Sequence, residues 1–125
     1  AAVVSGSLPE RIFTERTDAR IPELKSLYCL VSMDEAVIAL RDEYVDAISG
    51  HAATLHAFLT NAGVEYRLLD EELEKVNLGA AFSKDADPEV CSRLSAALDE
   101  MKTDGTIATI LNSYGLDADR ALGEE

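Results

Sequence analysis

The sequence predicts an α/β protein, a three-layer α/β/α sandwich around a mostly parallel sheet. Three observations predict it. Short apolar runs alternate with stretches of helical spacing through residues 1–69. The first two runs lead directly into helix-start signatures, SLPE at 7–10 and SMDE at 32–35. The run LYCLV at 27–31 does not alternate apolar with polar residues, as expected of a strand covered on both faces. Strand and helix in strict alternation favour right-handed crossovers and a parallel sheet.

The elements follow in order. Residues 1–4, AAVV, form a short apolar strand, and SGS at 5–7 is a tight small-residue turn. Ser7 is placed as an N-cap, Glu10 as its capping-box partner, and Pro9 lies in the first turn, where its missing N–H costs nothing. The helix at 8–15 turns Ile12 and Phe13 toward the core, and 17–25 is a polar connection containing Pro22. After the strand at 27–31, Ser32 and Glu35 cap a second helix whose buried stripe is Met33, Ala36, Val37 and Leu40.

VDAIS at 45–49 is a third strand, Gly50–His51 a turn, and 52–62 a third helix with Leu55, Phe58 and Leu59 inward. Gly63 ends that helix. A fourth strand at 64–69 sets Val64, Tyr66 and Leu68 on one face and Glu65 and Arg67 on the other. Residues 70–74 are an acidic loop, and LGAAFS at 78–83 is a fifth strand. Asp87 caps a long helix with Pro88 at its first position. Its stripe is Val90, Leu94, Ala97, Leu98 and Met101, bordered by Cys91. Asp104–Gly105 breaks it, a last helix covers 106–112, and 113–125 is a fraying acidic tail.

Composition bounds the partners. With 47% hydrophobic and 28% charged residues, the 125-residue chain can bury a core as one ordinary domain. A net charge of −13 disfavours nucleic acid and anionic lipid. No run has membrane-spanning length and there is no signal peptide; the chain opens on a strand already under way, as if cut from something longer. Cys29 and Cys91 have no metal-type spacing and are read as two buried free thiols rather than a disulfide. No metal site or cofactor is expected.

The turn after the first strand leaves backbone N–H groups near Gly6, Ser7 and Leu8 free, an anion site for a carboxylate or phosphate. The plainer reading is that Ser7 only caps its helix. Ligands of open α/β sheets bind beyond the carboxyl ends of the strands, and both the 5–7 turn and Gly50–His51 should open there. His56, Asp46, Tyr28 and Tyr66 read as surface, strand or core residues without a ligand role.

Three blocks carry a family resemblance: VVSGSLPERIF, SMDEAVIALRDEYVDAISG and LGAAFSKDADPEVCSRLSAALDEMKTDGTIATILNSYG. In that order they resemble extracytoplasmic solute-binding proteins of polar amino acid transporters, a module that also occurs in sensor kinases and ionotropic glutamate receptors. The resemblance covers nearly the whole chain. It implies a clamshell of two α/β lobes, with 1–72 as lobe two and 73–125 as a hinge strand and helices that pack on lobe one. It implies an extracytoplasmic location, a transporter or sensor partner, and a small carboxylate or amino-acid-like ligand.

The resemblance assigns the ligand's carboxylate to Ser5, Gly6, Ser7 and Leu8, with Leu8 where threonine is common. His51 falls where the family has an aspartate for the α-ammonium, and an imidazole supplies no counter-charge there. A ligand without an α-ammonium, or a lobe that has lost its ligand and acts through protein contacts, follows from that departure. A lyase derived from a binding protein is a weaker alternative, since His51 has no evident partner and no nucleophile elbow or metal cluster accompanies it. A receiver-type domain is set aside because Ser5 and Ser49 stand where aspartates would be needed. The chain is therefore read as a binding protein and not an enzyme. Its C-terminal stripes would cost roughly 1.5–3 kcal/mol per large side chain left wet, so they should fold back, dock on a lobe-one segment, or pair with a second copy.

Overall fold

The structure, a computed structural model, describes residues 1–16, 19–76 and 78–123. Thr17 and Asp18 of the expected connection, and the last two residues of the expected tail, lie outside the described residues. Among the described residues the chain is a mixed α/β protein with six helices and one two-stranded parallel sheet. It divides into two compact units, Ala1–Lys75 and Val76–Glu125.

In the first unit, β1 (Ala2–Val4) pairs in parallel with β2 (Tyr28–Leu30), with Ala2 opposite Tyr28 and Val4 opposite Leu30. Residues 47–49 run along the other edge of β1. The Ala2 N–H donates to the Ala47 carbonyl (2.9 Å), and the Ser49 N–H donates to the Ala2 carbonyl (3.0 Å). The expected strand at 45–49 is thus reduced to one parallel bridge, Ala2 to Ile48. Alternate residues of a parallel strand bond to alternate sides. Val4 would be next to face 47–49, but its carbonyl already accepts the Ser7 N–H of the turn. β1 is consequently central and fully buried at Ala2 and Val3.

β2 corrects an expectation. It is not covered on both faces: Tyr28 is 51% exposed, and Val31 just beyond it 83% exposed. The expected strands at 64–69 and 78–83 are also absent, because an apolar run becomes a strand only where a partner edge offers its hydrogen bonds. The expected alternation holds only in part. Val64 and Tyr66 pack on the core while Glu65 and Arg67 are exposed, but Leu68, expected on the inward face, is 43% exposed.

The core is Val37, Leu55 and Leu59, ringed by Met33, Leu40, Ile48, Phe58, Val64 and Tyr66. These side chains come from α2 (Met33–Arg41), α3 (Ala52–Asn61) and the segments flanking α3. α1 (Leu8–Glu15) packs on β1 with Ile12 and Phe13 half-buried, and α2 packs on β1, β2 and α3. Gly63, at φ +64°, closes α3 by a Schellman turn in which the Val64 N–H reaches the Leu59 carbonyl (3.1 Å). α2 ends in the same geometry with a non-glycine residue: Glu43 sits at φ +59° and the Tyr44 N–H reaches the Ala39 carbonyl (2.8 Å).

The second unit holds α4 (Pro88–Thr103), α5 (Thr106–Ser113) and α6 (Ala118–Leu122); α5 packs on both α4 and α6. The Asp87 carboxylate accepts the Glu89 N–H (2.9 Å), and Pro88 opens α4 as expected. The expected fraying tail instead contains α6, because Asp117 acts as an N-cap and accepts the Arg120 N–H (3.0 Å). Ala118 is the one buried residue among those described in this unit. The expectation of buried thiols fails too: Cys29 is exposed on the uncovered edge strand, Cys91 is half-buried on α4, and both are free.

Candidate functional site

The site begins at the handover from β1 to α1. Gly6 takes φ +75°, a left-handed conformation that glycine adopts without penalty. Ser7, extended at φ −84° and ψ 163°, caps α1, and its Oγ accepts the Glu10 N–H at 3.5 Å. The Ser5 N–H continues the sheet by donating to the Leu30 carbonyl (2.7 Å).

Two of the three N–H groups expected to be free, those of Gly6 and Ser7, are engaged. The Gly6 N–H donates to Glu10 Oε2 and the Ser7 N–H to the Val4 carbonyl. A capping-box glutamate ordinarily reaches the N–H of the cap residue itself. Glu10 reaches one residue further back, to the Gly6 N–H. The same shift recurs at α2: the Ser32 Oγ accepts the Glu35 N–H (3.3 Å), and Glu35 Oε2 accepts the Val31 N–H (3.0 Å). At α1 the chain's own carboxylate therefore stands where a bound carboxylate was expected.

Glu10 has a second partner. The Cys29 thiol on β2 faces its carboxylate, and hydrogen bonding from that thiol and from the Gly6 N–H lowers Glu10 below the ordinary glutamate range. The reciprocal effect raises Cys29: the hydrogen bond to Glu10 comes first, then partial desolvation, then the negative charge itself. Sequence inspection paired Glu10 with Ser7 but did not pair it with Cys29, because that contact depends on the β1–β2 register that sets Val3 beside Cys29.

Around this turn lies an open hollow of about 340 Å³ lined by Gly6, Ser7, Leu8, Glu10, Arg11, Thr14 and Glu15. A neighbouring one of about 360 Å³ shares Leu8, Arg11 and Glu15 and is closed by Ile12 and Glu74. Three of the sequence-predicted site residues, Gly6, Ser7 and Leu8, line the first hollow. Ser5 and His51 do not. His51 is the exposed N-cap of α3, and its side chain makes no capping hydrogen bond. Gly50 before it lies against α2 and α3: a Cβ there would stand 2.9 Å from Met33 Cε and 3.4 Å from Leu55 Cδ2.

No protein family matches the chain, and no curated protein or solved structure does either. The chemistry must be read from the residues themselves. Arg11, Thr14 and Glu15 are not among the sequence-predicted site residues, although they share one helix face with Leu8. They give the hollow both signs of charge, with Arg11 beside Glu10 and Glu15. His56, read as a surface residue, is half-buried and its Nδ1 is hydrogen-bonded to the Tyr66 hydroxyl, with the rings edge-on. That pair ties α3 to the segment after it and is structural.

Proposed function

We propose that this chain is a ligand-binding lobe of the clamshell, solute-binding type, taking a small polar metabolite at the β1–α1 turn and serving uptake or sensing outside the cytoplasm. The observation that supports it most is strand order. β2, β1 and residues 47–49 lie side by side and parallel, so the turns 5–8 and 50–51 leave neighbouring positions at one edge. In an open α/β sheet of order 2-1-3, ligands bind between the first and third strands, where the crossovers diverge. Right-handed crossovers from β1 to β2, then back over β1 to 47–49, send α1 and α2 to opposite faces. That favours a three-layer arrangement as the finer form of the fold.

The charge of the hollow narrows the ligand. A bare anion would meet Glu10 and Glu15, whereas a molecule carrying both a carboxylate and a cationic group can face Arg11 with one end and Glu15 with the other. The reading is of binding rather than catalysis. Thermal-shift and calorimetric titration of the full chain against amino acids, organic acids and amines tests it. A zwitterion at a hundred times its Kd should add about 2.7 kcal/mol of stability. Arg11→Ala should abolish that gain. If every compound leaves the melting temperature unmoved at millimolar concentration, the ligand reading fails.

A second reading has one observation in its favour. Glu10 fills the anion position from within, as it would in a lobe that has lost its ligand and acts through protein contacts. The two readings separate on Glu10→Gln: ligand affinity that strengthens for carboxylates supports the first, and no binding in either protein supports the second.

A further inference from the structure

α4 carries an uncovered apolar face. Val90, Leu94 and Leu98 are 55%, 38% and 41% exposed, Ala97 is exposed beside them, and Met101 is half-buried. On an α-helix these five residues share an arc of about 100°. Along one flank of that arc run Glu89, Arg93 and Glu100, and Arg93 and Glu100 are separated by about two turns.

That arrangement is self-complementary. A two-fold axis across the helix, midway between Arg93 and Glu100, brings Arg93 of one copy beside Glu100 of the other, and the reverse. The same axis passes close to Ala97, whose small side chain lets two helices approach. It sets Leu94 against the second copy's Leu98 and Val90 against its Met101, so large residues meet large ones on either side of a small centre. A parallel pairing does not do this, because an axis along the helices puts the Arg93–Glu100 flanks of the two copies on opposite sides of the seam. Within one chain Arg93 is engaged only loosely, at 3.7 Å from Glu89 with both side chains largely exposed. Charge also favours this face over others. The chain carries −13 overall, yet α4 is nearly balanced, with Glu89, Asp99 and Glu100 against Arg93 and Lys102.

We propose that two copies of this chain associate through α4, antiparallel about an axis beside Ala97, with reciprocal Arg93–Glu100 pairs setting the register. Apolar burial supplies the attraction, and the exposed ion pairs, individually weak, supply orientation. The association is isologous and closes at two copies. It is independent of ligand binding at the β1–α1 turn, so the failure of either leaves the other standing.

Sedimentation equilibrium of the full chain between about 1 and 500 µM at about 0.15 M salt, where net repulsion is screened, reads it directly. A monomer–dimer equilibrium is expected. Leu94→Glu should weaken it at least tenfold, and Arg93→Glu or Glu100→Arg alone should weaken it several-fold. An equimolar mixture of the Arg93→Glu and Glu100→Arg chains should form heterodimer as tightly as wild type, as should the chain carrying both changes. All these positions are exposed, so far-ultraviolet circular dichroism and melting of each dilute variant should match wild type. A chain that stays monomeric across the range overturns the proposal. So does a dimer that ignores Leu94→Glu, or one whose two charge variants show no mutual rescue.

Discussion

Glu10 is the residue whose chemistry departs furthest from what its position in the sequence suggests. It caps its own helix, satisfies the Gly6 N–H and faces the Cys29 thiol, a pairing that favours an ionised carboxylate and a protonated thiol. The sign of each pH effect follows. A lowered carboxyl pKa contributes stability that is complete above the ordinary glutamate value of about 4.3 and is lost as pH falls through the lowered one. A raised thiol pKa contributes stability that is complete below the ordinary value of about 8.5 and is lost as pH climbs through the raised one. Urea midpoints measured from acid to alkaline pH should therefore fall off at both ends in wild type and less so in Glu10→Gln. Alkylation of Cys29, followed by mass spectrometry, should need a higher pH than an ordinary thiol and an ordinary pH in Glu10→Gln; equal profiles would remove the proposed bond. Glu43 makes a second prediction. At φ +59° it occupies a helix-ending position that glycine takes more cheaply, and its side chain is exposed. Glu43→Gly should raise stability by about 0.5–1 kcal/mol, measured by denaturant melts, even though it deletes a side chain.

Among the elements, the contrast between α3 and α4 tests where stability resides. Leu59 on α3 is 2% exposed within the core, whereas Leu98 on α4 is 41% exposed. Truncation of Leu59 to alanine should cost about 2–4 kcal/mol through lost burial and an unfilled cavity. The same change at Leu98 in dilute, monomeric protein should cost under about 1 kcal/mol. Comparable losses at both sites would show that α4 is covered within a single chain. The helices were the legible part of the sequence, because their signals are local: Ser7 and Ser32 with glutamate in register, Asp87 before Pro88, and Gly63 at the end of α3. Even there, the Asp117 cap and α6 lie in a stretch expected to fray. Strands were less legible. Residues 64–69 and 78–83 have the composition of strands, yet a strand exists only if another edge accepts its ladder, and that is not written in the run itself. At the site, Gly6, Ser7 and Leu8 were legible as a turn beside a helix start. The partner of the Gly6 N–H is not, since the sequence does not say whether a capping glutamate reaches the cap residue or the one before it, as Glu10 and Glu35 both do.

For the molecule as a whole, charge sets the last prediction. A chain of net charge −13 repels itself when compact, and the repulsion relaxes on unfolding. Attraction could offset this only if opposite charges were well paired in the fold. Two ion pairs among the described residues, Arg41 with Asp42 at 2.8 Å and Arg93 with Glu89 at 3.7 Å, are exposed and join near neighbours in sequence. Such pairs contribute little and survive partly in the unfolded chain. Screening should consequently remove more repulsion than attraction. Raising sodium chloride from about 10 mM, where charges act over about 30 Å, to about 0.15 M, where they act over about 8 Å, should increase the melting temperature. The increase should be largest at neutral pH and shrink toward pH 4, as carboxylates protonate and the net charge falls. A melting temperature that drops with salt at neutral pH would mean that attractive pairs dominate the fold, and would reverse the sign of the electrostatic contribution assigned to this chain.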